Sequence, residues 1–468
     1  MMSMFGGLDA TGLAALVRDG AASAAEVVDD CLARIAEVDP QLGAFVHVDA
    51  DAARERAARG LSGPLAGVPF AVKDVVGYPG MRFALGSRLF AANVAGAHVP
   101  YTAALDRAGL ITVGKTATSE LGMLGSTETV LEGVTRNPWR AGLSAAGSSG
   151  GAAAAVAAGI LPMAHATDGG GSIRVPASAC GLFGFKPSNG RMLPSAPPGA
   201  GYADLLVDHC VSRTVRDSAL LLSCTERHDS AGGPVGHITA PVCRRLRIGW
   251  WTPTLRRRQP HPEVAAALDD AARLCADLGH EVEEIAPPPI DGDDLSDAYF
   301  TMAGMMLQQV ADAMAPLLGR PVGPADLEPF TLELIAWQAG LPAQQRATAQ
   351  QRMRAAGRCY AQVFERVDAV LTPTLATLPW PLGHLAPDVG RAELIERTGA
   401  AVGYTPIHNV AGCPAMSLPL HWTEGGIPVG CHFAARAGDD ATLLGLAYQL
   451  ESARPWHDRR PPLAARSV

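Results

Sequence analysis

Residues 144–187, SAAGSSGGAAAAVAAGILPMAHATDGGGSIRVPASACGLFGFKP, constrain this chain more than any other stretch. Two glycine-flanked serine sites, Gly147-Ser148-Ser149-Gly150-Gly151 and Gly169-Gly170-Gly171-Ser172, bracket an alanine-rich segment. Glycine lets a backbone turn sharply and bring its N–H groups close to a ligand. A serine closing a glycine run therefore fits a nucleophile beside an anion-binding nest. The plainer reading is a pair of glycine turns around a buried helix. The segment between them is broken by Gly159 and Pro162 and is too short to span a bilayer.

Lys73 adds to the first reading. Residues 68–72 read as a buried strand with Lys73 at its end. A lysine there either snorkels to solvent or is desolvated until its neutral amine can act as a base. Two further patterns compete. Residues 109–116 satisfy GxxxxGKT, but a helix precedes Gly109 and the residues between the glycines look like a strand, so a phosphate loop is not expected. Residues 147–151 satisfy GxSxG, which would make Ser149 the nucleophile of an elbow. That elbow needs a strong strand before it, and residues 141–146 make a poor one.

The rest of the chain alternates strands with helices. Ser23 and Glu26 form a capping-box signature for a helix expected to stop before Pro40. Strands are expected at 44–48, 110–113, 163–167, 246–250, 282–285 and 369–371, with helices at 49–58, 101–108, 150–159 and from about 264 to 278. Thr214 and Asp217 are expected to cap a helix reaching Cys224. Two long helices are expected at 298–317 and 331–367, and a final one at 440–452. This pattern predicts an α/β fold around a mixed or parallel sheet. The Pro/Gly/Ser-rich stretch 186–207 reads as a lid or substrate wall, or as a plain surface connection.

Composition narrows the function. With 48% hydrophobic and 18% charged residues in 468, the chain has material for a large core and is not disordered. A net charge of −8 gives no global attraction to nucleic acid or an anionic membrane, so neither is an expected partner. Nine cysteines without a CxxC pair read as free thiols in a reducing compartment, and no HExxH spacing is present. No metal or cofactor is therefore expected. Residues 1–8 show no secretory pattern, so a cytoplasmic protein is expected.

The segments GVPFAVKD at 67–74, GKTATSE at 114–120, TRNPW at 135–139, GSSGG at 147–151, TDGGGSIRVPA at 167–177, GFKP at 184–187, TPIHNVAGCPAMSLP at 405–419 and GIPVG at 426–430 resemble the amidase signature family over nearly the whole chain. The resemblance implies one domain over 1–468 with a large mixed, twisted β-sheet sandwiched between layers of α-helices. A helical part at about 1–60 would precede a signature core at about 61–225. A variable helical substrate wall at about 290–365 would be followed by C-terminal strands and a helix at about 366–468.

It also implies a Ser–cisSer–Lys triad, with Ser172 as nucleophile, Ser148 as the bridging serine on a cis peptide after Gly147, and Lys73 as base. The oxyanion hole would be the N–H groups of Gly169, Gly170, Gly171 and Ser172, with Asp168, Arg174 and Ser149 in supporting roles. Ala146, His165-Ala166, Gly169 and Ser188 depart from the family's usual residues without removing a triad atom. The extra glycine at 169 predicts a more adaptable loop.

The layout is most similar to the branch hydrolysing nylon-type cyclic amide oligomers, with aryl acylamidases and urethane-cleaving amidases close by. The expected partner is a small, neutral amide or carbamate, and a homodimer is compatible with the family. Met192, Leu193 and Tyr202 of the 192–203 loop, with Met302, Met305 and Met306, are expected to favour an apolar substrate or simply to fill core. The alternative is the glutaminase-type subunit of a tRNA-dependent amidotransferase.

Overall fold

The computed structural model describes residues 5–196, 204–230 and 232–465. Tyr202 and the rest of 197–203 lie outside the described residues.

Two sheets meet at the site. The smaller has three strands in the order Phe45–Val48, Ile111–Thr116, Pro69–Lys73. Its Pro69–Lys73 and Ile111–Thr116 strands are parallel and are joined through the helix Pro100–Arg107, the crossover that parallel pairing requires. The larger sheet has eight strands. In spatial order they are Glu281–Glu284, Arg247–Trp250, Ala369–Pro373, Pro428–Ala435, Ala415–Trp422, Phe183–Lys186, Val207–Ser212 and Met163–Asp168. The first three are parallel to one another and the others pair antiparallel, so the sheet is mixed. Helices cover it, among them Val215–Thr225, Pro262–Asp277 and Asp440–Ala453, whose leucines join its core.

The alanine-rich segment forms the helix Gly150–Ala157, buried along its whole length. A helix of such small side chains approaches its neighbours closely. A Cβ at Gly151 would lie 2.5 Å from the Ala117 nitrogen and 2.6 Å from the Ala44 oxygen.

Several sequence expectations need correction. The first long helix continues through Pro40 to Leu42. Pro40 lies in the last turn, where one lost backbone bond is tolerable, and the stop is Gly43 in the left-handed region at φ 65°. The Asp39 carboxylate then accepts from the Ala44 and Phe45 N–H groups. Residues Arg140–Ser144 do form a strand, pairing with Arg136–Asn137 in a small ribbon outside the main sheets and bridging from Leu143 to Pro381. Thr214 stands at the N-cap of a helix at Val215–Thr225 and Asp217 in its first turn, but neither side chain makes a capping hydrogen bond to it. Asp217 instead accepts from the Ala10 and Thr11 N–H groups, at the start of another helix. The single helix expected at 331–367 is two, Pro329–Ala339 and Ala343–Ala361, separated around Gly340 and Pro342. The strand expected at 110–113 runs to Thr116 and contains Gly114-Lys115-Thr116. Lys115 is buried there, paired with Asp74 at 3.1 Å and donating to the Val76 and Arg82 carbonyls. It braces the small sheet, and no phosphate loop forms.

Candidate active site

Lys73 ends its strand fully buried beside the Met163–Asp168 strand of the large sheet. Its ammonium nitrogen lies 2.7 Å from Ser148 Oγ and 3.0 Å from Thr167 Oγ1. Its backbone N–H donates to His165 Nδ1 at 3.2 Å. Nδ1 is thus an acceptor, and the Nε2–H donates to Asp208 Oδ1 at 3.1 Å. Asp208 also accepts from the Ser195 hydroxyl at 2.6 Å. Burial pulls Lys73 down from 10.5 to about 7, against the opposing charges of Asp168 and Asp208. Burial likewise lowers His165, although Asp208 pulls it the other way. A neutral amine next to a serine hydroxyl is therefore accessible near pH 7.

The Gly147–Ser148 peptide is cis. A side chain cannot replace the glycine, because its Cβ would lie 2.4 Å from the Ser126 carbonyl oxygen. Thr127 Oγ1 donates to the Ala146 carbonyl at 2.9 Å and accepts from the Gly150 N–H at 3.0 Å, tying the turn to the helix behind it. Ser149 points elsewhere than Ser148. Its hydroxyl accepts from the Thr167 N–H and donates to the Thr167 carbonyl, each at 3.3 Å. Ser149 is buried and outside the cavity lining, so the elbow reading fails.

The 169–172 loop is moulded around Asp168. Its carboxylate accepts from the Gly171 N–H at 2.7 Å, the Ile173 N–H at 3.2 Å and Arg174 at 2.8 and 2.9 Å. Burial alone would raise Asp168, but the charge and hydrogen bonds of Arg174 outweigh it and hold the carboxyl well below its usual range. Arg174 is itself fully buried and donates to the Thr405 carbonyl, His432 Nε2 and Asn409 Oδ1. Asp168 and Arg174 thus form a buried, fully paired brace. The expected set of backbone donors changes here, because the Gly171 N–H is taken by Asp168. Among the described residues no acceptor meets the N–H groups of Gly169, Gly170 and Ser172.

Ser172 is half-buried and lines a cavity of about 280 Å³ together with Gly147, Ser148, Thr167 and the three glycines. Its other walls are mostly apolar, including Leu121, Met123, Phe300, Met306, Val402 and Ile407. Of the three methionines considered from sequence, only Met306 lines the cavity; Met302 packs into a core cluster. Met192 is buried in the main core rather than at the cavity.

Sequence reasoning assigned no role to Thr167, Tyr299, Thr405 or Asn409. Tyr299 donates to the Gly169 carbonyl, Thr405 to the Gly170 carbonyl and Asn409 to the Asp168 carbonyl. Thr167 and the 405–409 residues stood inside the quoted motifs, which was the available signal. Tyr299 carried none.

An amine-bonded serine, a second serine beside a glycine nest, and an Asp–Arg brace thus meet on this mixed sheet. The family described as Amidase matches residues 26–444, and the chain belongs to it. AmiC of Mycobacterium tuberculosis (strain ATCC 25618 / H37Rv) is 38% identical over 456 residues, covering 96% of this chain and 95% of its own. A 6-aminohexanoate-cyclic-dimer hydrolase of Paenarthrobacter ureafaciens is 32% identical over 484 residues, covering 97% and 96%. The solved structure of such a hydrolase with substrate matches with a TM-score of 0.90 at 30% identity, covering 98% and 99%. A bacterial aryl acylamidase structure matches at 0.87 and 29% identity, covering 98% of both chains. The chain is accordingly an amidase. Among the described residues no helix is long and apolar enough to cross a membrane.

Proposed function

We propose that this amidase hydrolyses small, neutral amides through an acyl-enzyme on Ser172, with Ser148 as proton relay and Lys73 as base. The observation that carries the reading is the 2.7 Å contact between Ser148 and a buried lysine brought down to about 7. Neutral Lys73 accepts the Ser148 proton while Ser148 accepts that of Ser172, and Ser172 Oγ bonds to the carbonyl carbon. The resulting oxyanion is held by the N–H groups of Gly169, Gly170 and Ser172; one such donor is typically worth about 2.7–4 kcal/mol in the transition state. As the C–N bond breaks, the proton returns through Ser148 to the departing nitrogen. Water then attacks the ester, giving its proton to the same relay, and releases the carboxylic acid and free Ser172. Thr167 keeps the Lys73 amine aimed at Ser148.

The mostly apolar cavity supports uncharged substrates such as aryl or alkyl amides and nylon-type oligoamides. Similarity to the cyclic-dimer hydrolase and the aryl acylamidase supports the same choice. A carbamate presents the same carbonyl and a similar leaving nitrogen, so urethanes belong in the substrate panel. Free glutamine would need partners for both an α-carboxylate and an α-ammonium. The cavity's arginine, Arg256, is already paired with Asp293 and Glu396.

The test is hydrolysis by the purified protein of matched anilide, alkyl amide, carbamate and glutamine substrates, with Ser172→Ala alongside. Turnover of the neutral amides, lost in a folded Ser172→Ala, is expected. Glutamine as sole substrate would overturn the substrate reading. Ordinary turnover by Ser172→Ala would overturn the nucleophile.

A further inference from the structure

The 169–172 loop begins with three glycines in succession, the least self-ordering sequence available for a group of aimed donors. Its order has to come from outside. Each peptide carbonyl from Asp168 to Gly171 is held by a donor: Asn409 Nδ2 at 2.9 Å, the Tyr299 hydroxyl at 3.1 Å, Thr405 Oγ1 at 2.7 Å and the Val175 N–H at 2.7 Å, in chain order. In a trans peptide the carbonyl and the following N–H point in opposite directions. Fixing one therefore aims the other. The Asp168, Gly169 and Gly171 carbonyls precede the N–H groups of Gly169, Gly170 and Ser172, which meet no acceptor among the described residues.

Three of these clamps come from the signature itself or from 405–409. Tyr299 comes from elsewhere, the helix Gly292–Leu318 of the substrate wall. It is half-buried and lines the cavity beside Phe300. Its hydroxyl sits so close to the loop that a Cβ at Gly170 would lie 2.7 Å from it. The wall helix thus contributes to the oxyanion site as well as to the shape of the pocket.

We propose that Tyr299 is a positioning residue of this amidase: its hydrogen bond to the Gly169 carbonyl orients the Gly169–Gly170 peptide so that the Gly170 N–H meets the oxyanion. The proposal rests on Ser172 being the nucleophile. A clamp that serves only the oxyanion acts in the transition state, so its loss lowers kcat and leaves KM in place.

Tyr299→Phe keeps the ring and removes the hydroxyl. The expected result is a fall in kcat of about tenfold or more, with KM within about twofold and a melting temperature lowered by no more than about 4 °C. A trifluoromethyl ketone matched to the best substrate, which forms an oxyanion on the nucleophile, should lose affinity by a similar factor. The corresponding alcohol, which forms none, should bind both proteins alike. Wild-type kcat and ketone affinity in Tyr299→Phe would overturn the proposal, as would a KM increase with equal loss of ketone and alcohol binding. Labelling by a fluorophosphonate, located by peptide mass spectrometry, separates the two readings. If the wild-type protein is not labelled on Ser172, the nucleophile assignment fails. If it is labelled and Tyr299→Phe behaves as wild type, the clamp alone fails.

Discussion

Replacing Lys73 with methionine should abolish turnover and, at neutral pH, make the protein more stable. Burial lowers Lys73 from 10.5 to about 7. Because the folded value is depressed, the fold carries no penalty from this residue above pH 10.5, and the penalty is complete once pH falls below about 7. At about 1.4 kcal/mol per tenfold, the full penalty is roughly 5 kcal/mol, shrinking to about 2 kcal/mol near pH 9. Methionine fills a similar volume with no charge to desolvate. It forfeits the bonds to Ser148 and Thr167, two interactions worth about 1 kcal/mol each. The variant should therefore be more stable by about 3 kcal/mol at pH 6–7, equal near pH 9, and less stable by about 2 kcal/mol near pH 10.5. Paired denaturant melts of both proteins across this range measure the difference directly. A gap that stays constant with pH, or a wild-type protein more stable at pH 6, would refute the buried, neutralised lysine on which the proposed relay depends.

Two other outcomes follow from the same geometry. The base must be neutral to act, so kcat/KM should rise about tenfold per pH unit below pH 7 and level off above it; a flat profile from about pH 5 to 8 would remove Lys73 from the reaction. Gly147→Ala drives a Cβ to 2.4 Å from the Ser126 carbonyl oxygen, a backbone atom with little room to yield. It should cost about 1–3 kcal/mol or more and displace Ser148, seen as a lower melting temperature with turnover lost.

The sequence exposes some parts of this site and conceals others for steric reasons. Gly147, Gly151 and Gly171 are glycines because a Cβ would strike Ser126, Ala117 and Thr405 at 2.4, 2.5 and 2.2 Å. Such necessity leaves only one residue type, so it appears as a local motif. The buried strand ending in Lys73 was legible for a related reason, since a charge at the edge of an apolar run is conspicuous. Helix boundaries were less so. Pro40 lies in a last turn that tolerates it, and the break between 339 and 343 is set by Gly340 and Pro342 inside a stretch whose composition is otherwise helical.

The clamps obey a different rule. A carbonyl can be held by any donor of suitable length, and here a tyrosine, a threonine, an asparagine and a backbone N–H all do so. Nothing near position 169 in the chain selects Tyr299, which lies 130 residues away. The same holds for Asp208, which is hydrogen-bonded to His165, the acceptor of the Lys73 N–H, and whose charge also acts on the Lys73 amine. What a sequence shows of such a site is where atoms must be absent. Where donors must be present is decided by packing between distant segments, here between the 169–172 loop and the helix Gly292–Leu318.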